Sequence, residues 1–82
     1  MLLSQLPLRE KSTVSAFDTT NESVIQRMRM LGFCEGIEVE VLHCGFPARN
    51  PLAVRVGDHT IALGKDEASL IEVQAARDPQ AA

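Results

Sequence analysis

Residues 52 to 63 place the tightest constraint on what this chain can fold into. Leu52, Val54 and Val56 alternate with Ala53 and Arg55, the pair Gly57-Asp58 follows, and Thr60-Ile61-Ala62-Leu63 resumes an apolar run. Period-two alternation is the pattern of a strand with one wet face. A two-residue connection carrying Gly between two such runs closes them into an antiparallel hairpin. Upstream, Ile37, Val39 and Val41 alternate with Glu38 and Glu40 and predict a further strand, with Glu38, Glu40 and Arg55 on its solvated face. Thr13 to Phe17, after the entry Leu6-Pro7-Leu8, reads as a first strand, and Leu70 to Val73 as a last one after a polar turn at Lys65–Glu67.

One helix interrupts the strands. Thr19 and Glu22 have the T-x-x-E spacing of a capping box, in which hydroxyl and carboxylate satisfy backbone N–H groups left free in the first turn. Val24, Ile25, Met28 and Leu31 then recur at helical spacing as one apolar stripe, with Gln26, Arg27, Arg29 and Met30 on the other faces. Gly32 stands where a left-handed residue ends a helix, and Arg27 and Arg29 lie where cations suit the helix dipole. About 12 residues at 1.5 Å per residue make a helix of roughly 18 Å, enough to cap a small barrel.

A chain of 82 residues holds a single domain with a small core. Five short strands cannot all be covered in a flat sheet of that size. The expected fold is therefore mainly β: a small, partly open barrel of about five strands with one α-helix between the first two. Residues 1–74 form the domain and 75–82 a flexible tail.

Composition removes several functions. The net charge of -3 opposes binding to phosphate backbones, which calls for surplus Lys and Arg. Three Phe with no Trp or Tyr leave no stacking platform for single strands and no aromatic groove for Pro-rich peptides. No run approaches the roughly 20 apolar residues of a membrane-spanning helix, and Met1 to Lys11 lack the basic start of a signal peptide. Two cysteines, Cys34 and Cys44, are too few for a disulfide framework, so the expected setting is the cytoplasm, with reduced thiols.

Catalytic constellations are lacking: there is no phosphate-cradling Gly loop and no H-E-x-x-H. A thiol nucleophile would need Cys34 or Cys44 beside His43 or His59, and a buried Cys is commonly just a small hydrophobe. The expectation is a protein that is not an enzyme and needs no cofactor. For a metal, only His43, Cys44 and His59 are on offer, without C-x-x-C or H-x-x-x-H spacing. In the plainer reading of that strand, Cys44 packs inward and His43 meets solvent. Candidate partner contacts are Arg27 and Met30 on the helix flank, and Phe46 and Arg49 in the loop before the hairpin; Met30 lies off the helix stripe and Phe46 precedes Pro47 in a loop, so each is either a core residue or a contact for another protein.

The order Arg27-Met28-Arg29-Met30-Leu31-Gly32-Phe33, then Gly36 and the alternating strand, resembles the R-L-x-x-L-G-F…G-x-x-V-x-V pattern of the ferrous iron transport protein A (FeoA) family. Asn50-Pro51-Leu52, Ile61-Ala62-Leu63, Glu67-Ala68 and Ile71-Glu72-Val73 are similar to that family's D-P-L…I-A-L…E-A…I-x-V run. The resemblance covers about residues 3 to 73. It implies an SH3-like β-barrel in which Gly32 ends the helix, Phe33 plugs the barrel end, Gly36 opens the next strand and Ala68 fits a turn against the core. It departs at Arg9-Glu10-Lys11, where the family usually carries Gly after L-P, and at Met28, where Leu is usual. The implied role is a cytoplasmic accessory or regulatory partner, recruited to the inner face of the membrane by the cytoplasmic part of the ferrous iron permease FeoB, which carries a G-protein domain. An alternative from the same resemblance is a metal-sensing module related to the C-terminal domain of iron-dependent repressors. Such a module would draw its transition-metal ligands from His43, Cys44, His59 and scattered carboxylates. An arginine finger toward the permease's nucleotide would fall to Arg27, Arg29 or Arg49.

Overall fold

The computed structural model describes residues 1–46 and 48–75. After a 3-10 turn at Leu3–Gln5, the elements are β1 (Lys11–Phe17), α1 (Glu22–Met30), β2 (Glu38–Cys44), β3 (Leu52–Val56), β4 (His59–Leu63), α2 (Lys65–Ala68) and β5 (Ile71–Ala75). The strands form one antiparallel sheet in the order β4-β3-β2-β1-β5. This is the expected mainly-β domain, with its helix between the first two strands. Register slips between Val14 and Ala16 in β1 and between Val41 and His43 in β2. Such bulges increase local twist, which lets a five-stranded sheet curl around one small core.

The core follows the period-two pattern. Val39 and Val41 of β2, Leu52, Val54 and Val56 of β3, Leu63 of β4, and Ile71 and Val73 of β5 all point inward and are buried. Met28 from α1 and Phe33 after it close one side, and Leu3 and Leu6 from the opening segment close another. The hairpin forms as predicted, with Leu52 opposite Leu63, Val56 opposite His59, and Gly57 at φ +62° in the turn.

Several local expectations change. The helix is capped by Asn21, whose Oδ1 accepts from the N–H groups of Ser23 (3.0 Å) and Val24 (3.4 Å). Thr19 lies outside, its hydroxyl accepting from the Asn21 N–H at 3.1 Å, and Glu22 is the first helical residue, so the T-x-x-E box does not form. Asn is among the best N-caps and wins because it stands next to the first residue that takes helical angles. The helix is thus nine residues long. At its other end the expectation holds. Gly32 adopts φ +110°, its N–H donates to the Arg29 carbonyl (3.0 Å), and the Phe33 N–H donates to the Met28 carbonyl (3.0 Å). This is a Schellman cap closed by Phe33 and Met28 in the core.

The polar turn at Lys65–Glu67 is the short helix α2, and it seats the fully buried Ala68 against the core. β1 starts two residues earlier than predicted, and β5 extends to Ala75 through the pairs Thr13–Gln74 and Ser12–Ala75. The tail from residue 76 onward lies outside the described residues.

The charged face of β2 and β3 is not simply solvated. Glu40 is only 9% exposed. Arg55 lies opposite it across the ladder, with Nη2 2.9 Å from Glu40 Oε1 and 3.1 Å from Glu38 Oε1, while its Nη1 donates to the Gly57 carbonyl at 2.7 Å. The hydrogen bonds that Arg55 donates to Glu40, and then the one to Glu38, hold its pKa above its ordinary value. Alternation correctly predicts that these side chains leave the core, but not that they would gather over one another.

Candidate partner-binding surface

The candidate contacts fall in two places. Arg27 and Met30 stand three residues apart on α1. The Arg27 guanidinium reaches Glu67 Oε2 at 2.8 Å and so ties α1 to α2. Met30 is 87% exposed. Phe46 and Arg49 share the loop between β2 and β3, which contains a cis peptide at Asn50–Pro51. Phe46 is 96% exposed, the most exposed of the large apolar residues.

Arg49 does something the sequence does not announce. It adopts φ +58°, and its Nη2 donates to the Leu6 carbonyl at 2.8 Å. That bond ties the loop to the opening segment, and Asn50 Oδ1, accepting from the Lys65 N–H at 3.0 Å, ties it to α2. Arg49 is thus a brace for the loop that carries Phe46.

Met30 and Phe46 lie at opposite ends of the strands. Gly32, just after Met30, packs against His59 and Val56 beside the β3–β4 turn. The Phe46 loop joins the other ends of β2 and β3, at Cys44 and Leu52.

The possible metal ligands are not brought together. His43 aligns with Ala53 of β3, which aligns with Ala62 of β4. His59 aligns with Val56, at the far end of the same strands. His43 is exposed, while Cys44 is half-buried against the core. Among the described residues, no three His, Cys, Asp or Glu side chains converge as a cation would require.

Two features escaped the sequence reading. Glu22, Ile25, Gln26 and Arg29 line an open groove of about 350 Å³ on α1, with Arg29 stacked 5.3 Å over the Phe17 ring and paired with Glu35 at 3.3 Å. Their i, i+3, i+4, i+7 spacing was legible, but the neighbouring Phe17 was not. Leu8 is exposed beside Arg9, a non-glycine residue at φ +68° whose N–H donates to the Val41 carbonyl at 2.8 Å.

A curled, five-stranded antiparallel sheet with one capping helix and a fully buried Phe33 defines a small SH3-like β-barrel. Its helix–Gly–Phe–x–x–Gly block and I-A-L strand belong to one group of such barrels. The FeoA domain model matches residues 1–75, and the chain belongs to the FeoA family, a family of ferrous iron transport. It is 36% identical to FeoA from Stenotrophomonas maltophilia, crystallised with zinc and described there as a prokaryotic SH3-domain protein and candidate ferrous iron transport activating factor. That match covers 90% of this chain and 89% of that one, with a TM-score of 0.77. Iron(II) transport protein A from Clostridium thermocellum is 29% identical, with a TM-score of 0.83 over 93% of this chain and 46% of that one. A manganese-dependent transcriptional repressor shares the fold at 19% identity, with a TM-score of 0.81 over 92% of this chain and 41% of the repressor. No curated protein sequence matches the chain. Among the described residues, no helix is long and apolar enough to cross a membrane.

Proposed function

We propose that this protein is a cytoplasmic accessory protein of bacterial ferrous iron uptake. It acts by contact with the cytoplasmic part of the permease FeoB, at the inner face of the membrane, and catalyses no reaction of its own. Family membership supplies the process, and Phe46 carries the argument for contact. Of three Phe, Phe33 fills the core and Phe17 packs against it, while Phe46 stands in water on a loop braced by Arg49 and Asn50. An aromatic side chain held out by a braced loop has little to gain inside its own fold and much to gain in a partner's pocket. Met30, on the helix flank with Arg27, offers a second apolar contact.

The test is titration calorimetry against the cytoplasmic region of the FeoB from the same cell, with and without guanine nucleotide and ferrous iron. Saturable binding that Phe46→Ala weakens by about tenfold or more supports the reading, at the scale of an interface hot spot. No binding under any condition defeats it. Stoichiometric uptake of ferrous iron by the chain alone would instead favour the metal-sensing role, for which the zinc held by the Stenotrophomonas maltophilia protein is the precedent.

A further inference from the structure

The two edges of the sheet, β4 and β5, are treated differently. The β5 edge is covered by the start of the chain. The Val73 N–H donates to the Met1 carbonyl at 2.7 Å, the Met1 ammonium donates to the Val73 carbonyl at 3.4 Å, and Leu2 bridges Glu72. The β4 edge has no such cover among the described residues. The two-residue turn at Gly57-Asp58 makes Val56 and His59 a hydrogen-bonded pair, and antiparallel bonding alternates from there. His59, Ile61 and Leu63 therefore bond to β3, whereas the N–H and C=O groups of Thr60 and Ala62 point away from the sheet. Both residues are exposed, and no described group hydrogen-bonds to their backbone on that side.

Exposed edges are normally guarded by Lys, Pro, a bulge or an inward charge. β4 reads His-Thr-Ile-Ala-Leu and has none of these; its register with β3 is unbroken from Leu63 to His59. We propose that this edge pairs with itself: a second copy of the chain adds antiparallel across β4, on a two-fold axis at Ile61. That centre sets Thr60 against Ala62 of the second copy and Ala62 against its Thr60, so every outward N–H meets an outward C=O. Centres at Thr60 or Ala62 instead oppose one of these residues to Asp58 or Gly64, outside the strand. The same register sets Asp58 opposite Gly64 of the second copy, beside its Lys65. The Asp58 carboxylate is fully exposed, with His59 Nδ1 at 3.4 Å as its described partner, and Lys65 is exposed too. Opposite charges thus meet at both ends of the joined strands, which favours a second copy over an arbitrary extended segment.

A contact about 17 Å long buries little surface, so the dimer is weak and reversible. Sedimentation velocity of the full chain from about 10 µM to 1 mM, a range suited to contacts this small, should show a monomer passing to a dimer. Hydrogen exchange at the Thr60 and Ala62 amides should slow over the same range. Ala62→Pro removes an N–H that the chain's own ladder does not use, so the melting curve should hold while the dimer weakens at least tenfold. Ala62→Lys serves the same purpose should the Pro variant fold poorly. Asp58→Lys should weaken the dimer, and Asp58→Lys with Lys65→Asp should restore it. A monomer at every concentration, a dimer that both Ala62 variants leave intact, or a charge swap that does not restore the dimer overturns the proposal.

Discussion

Arg9 and Arg49 show at the residue scale how alike two strained positions can look and how differently they behave. Both take positive φ, a region that costs a residue with a Cβ about 1–2 kcal/mol. Arg49 is compensated by its bond to the Leu6 carbonyl, whereas no side-chain hydrogen bond of Arg9 is found among the described residues. The family's usual Gly after L-P falls at this turn, and the positive φ of Arg9 is a physical reason for it. Arg9→Gly should therefore stabilise the fold by up to about 1 kcal/mol, roughly 4–8 °C in melting temperature for a domain this size. Arg49→Gly should give no such gain, because relief of strain is offset by loss of the bond to Leu6; equal gains would show that bond to be idle. Gly32 is the opposite case. At φ +110°, with the His59 ring and Val56 methyl 3.1–3.4 Å from where a Cβ would stand, Gly32→Val should cost more than about 1 kcal/mol in a thermal melt.

At the scale of elements, α1 depends on its cap and the β2–β3 pair on its outer charges. Asn21→Ala should cost about 1 kcal/mol, because two helical N–H groups lose their acceptor. Thr19→Ala and Glu22→Ala should each cost less, the first touching only a bond before the helix and the second only a charge near its dipole. Denaturant titrations that reverse this order would restore the Thr19–Glu22 box. On the sheet, Arg55→Ala leaves the buried Glu40 carboxylate without its cation, whereas Glu38→Ala leaves the Arg55–Glu40 pair intact. Arg55→Ala should lower the melting temperature clearly more than Glu38→Ala does. Equal effects would mean that Glu40 finds another partner or water. Helix and strands were legible because period and turn chemistry are local. The cap and the charge cluster were less so: one depends on which of several polar residues first stands beside a helical turn, the other on register across two strands.

Across the whole molecule, stability and recognition draw on different residues. Phe46 and Met30 make little contact with the core, so Phe46→Ser and Met30→Ser should leave the melting temperature within about 1–2 °C, as surface changes do. Phe46→Ser should weaken binding to the permease's cytoplasmic region about tenfold or more and Met30→Ser, at the opposite end of the strands, less; the reverse order in calorimetry would move the contact to the helix end. The sequence by itself left Met30 and Phe46 open between core and contact, but determined the class of fold, the hairpin at Gly57-Asp58, the helix stop at Gly32 and the inward-facing apolar residues of the strands. Each follows from spacing along a few residues, where the backbone has only helical and extended periods to choose from. Tertiary structure alone decided that Arg49 braces a loop, that Arg27 joins α1 to α2, that Glu40 lies under Arg55, that His43 and His59 stand apart, and that one sheet edge is covered while the other is open. Those facts depend on strand order, bulges and register between segments far apart in the chain, and no local period encodes them.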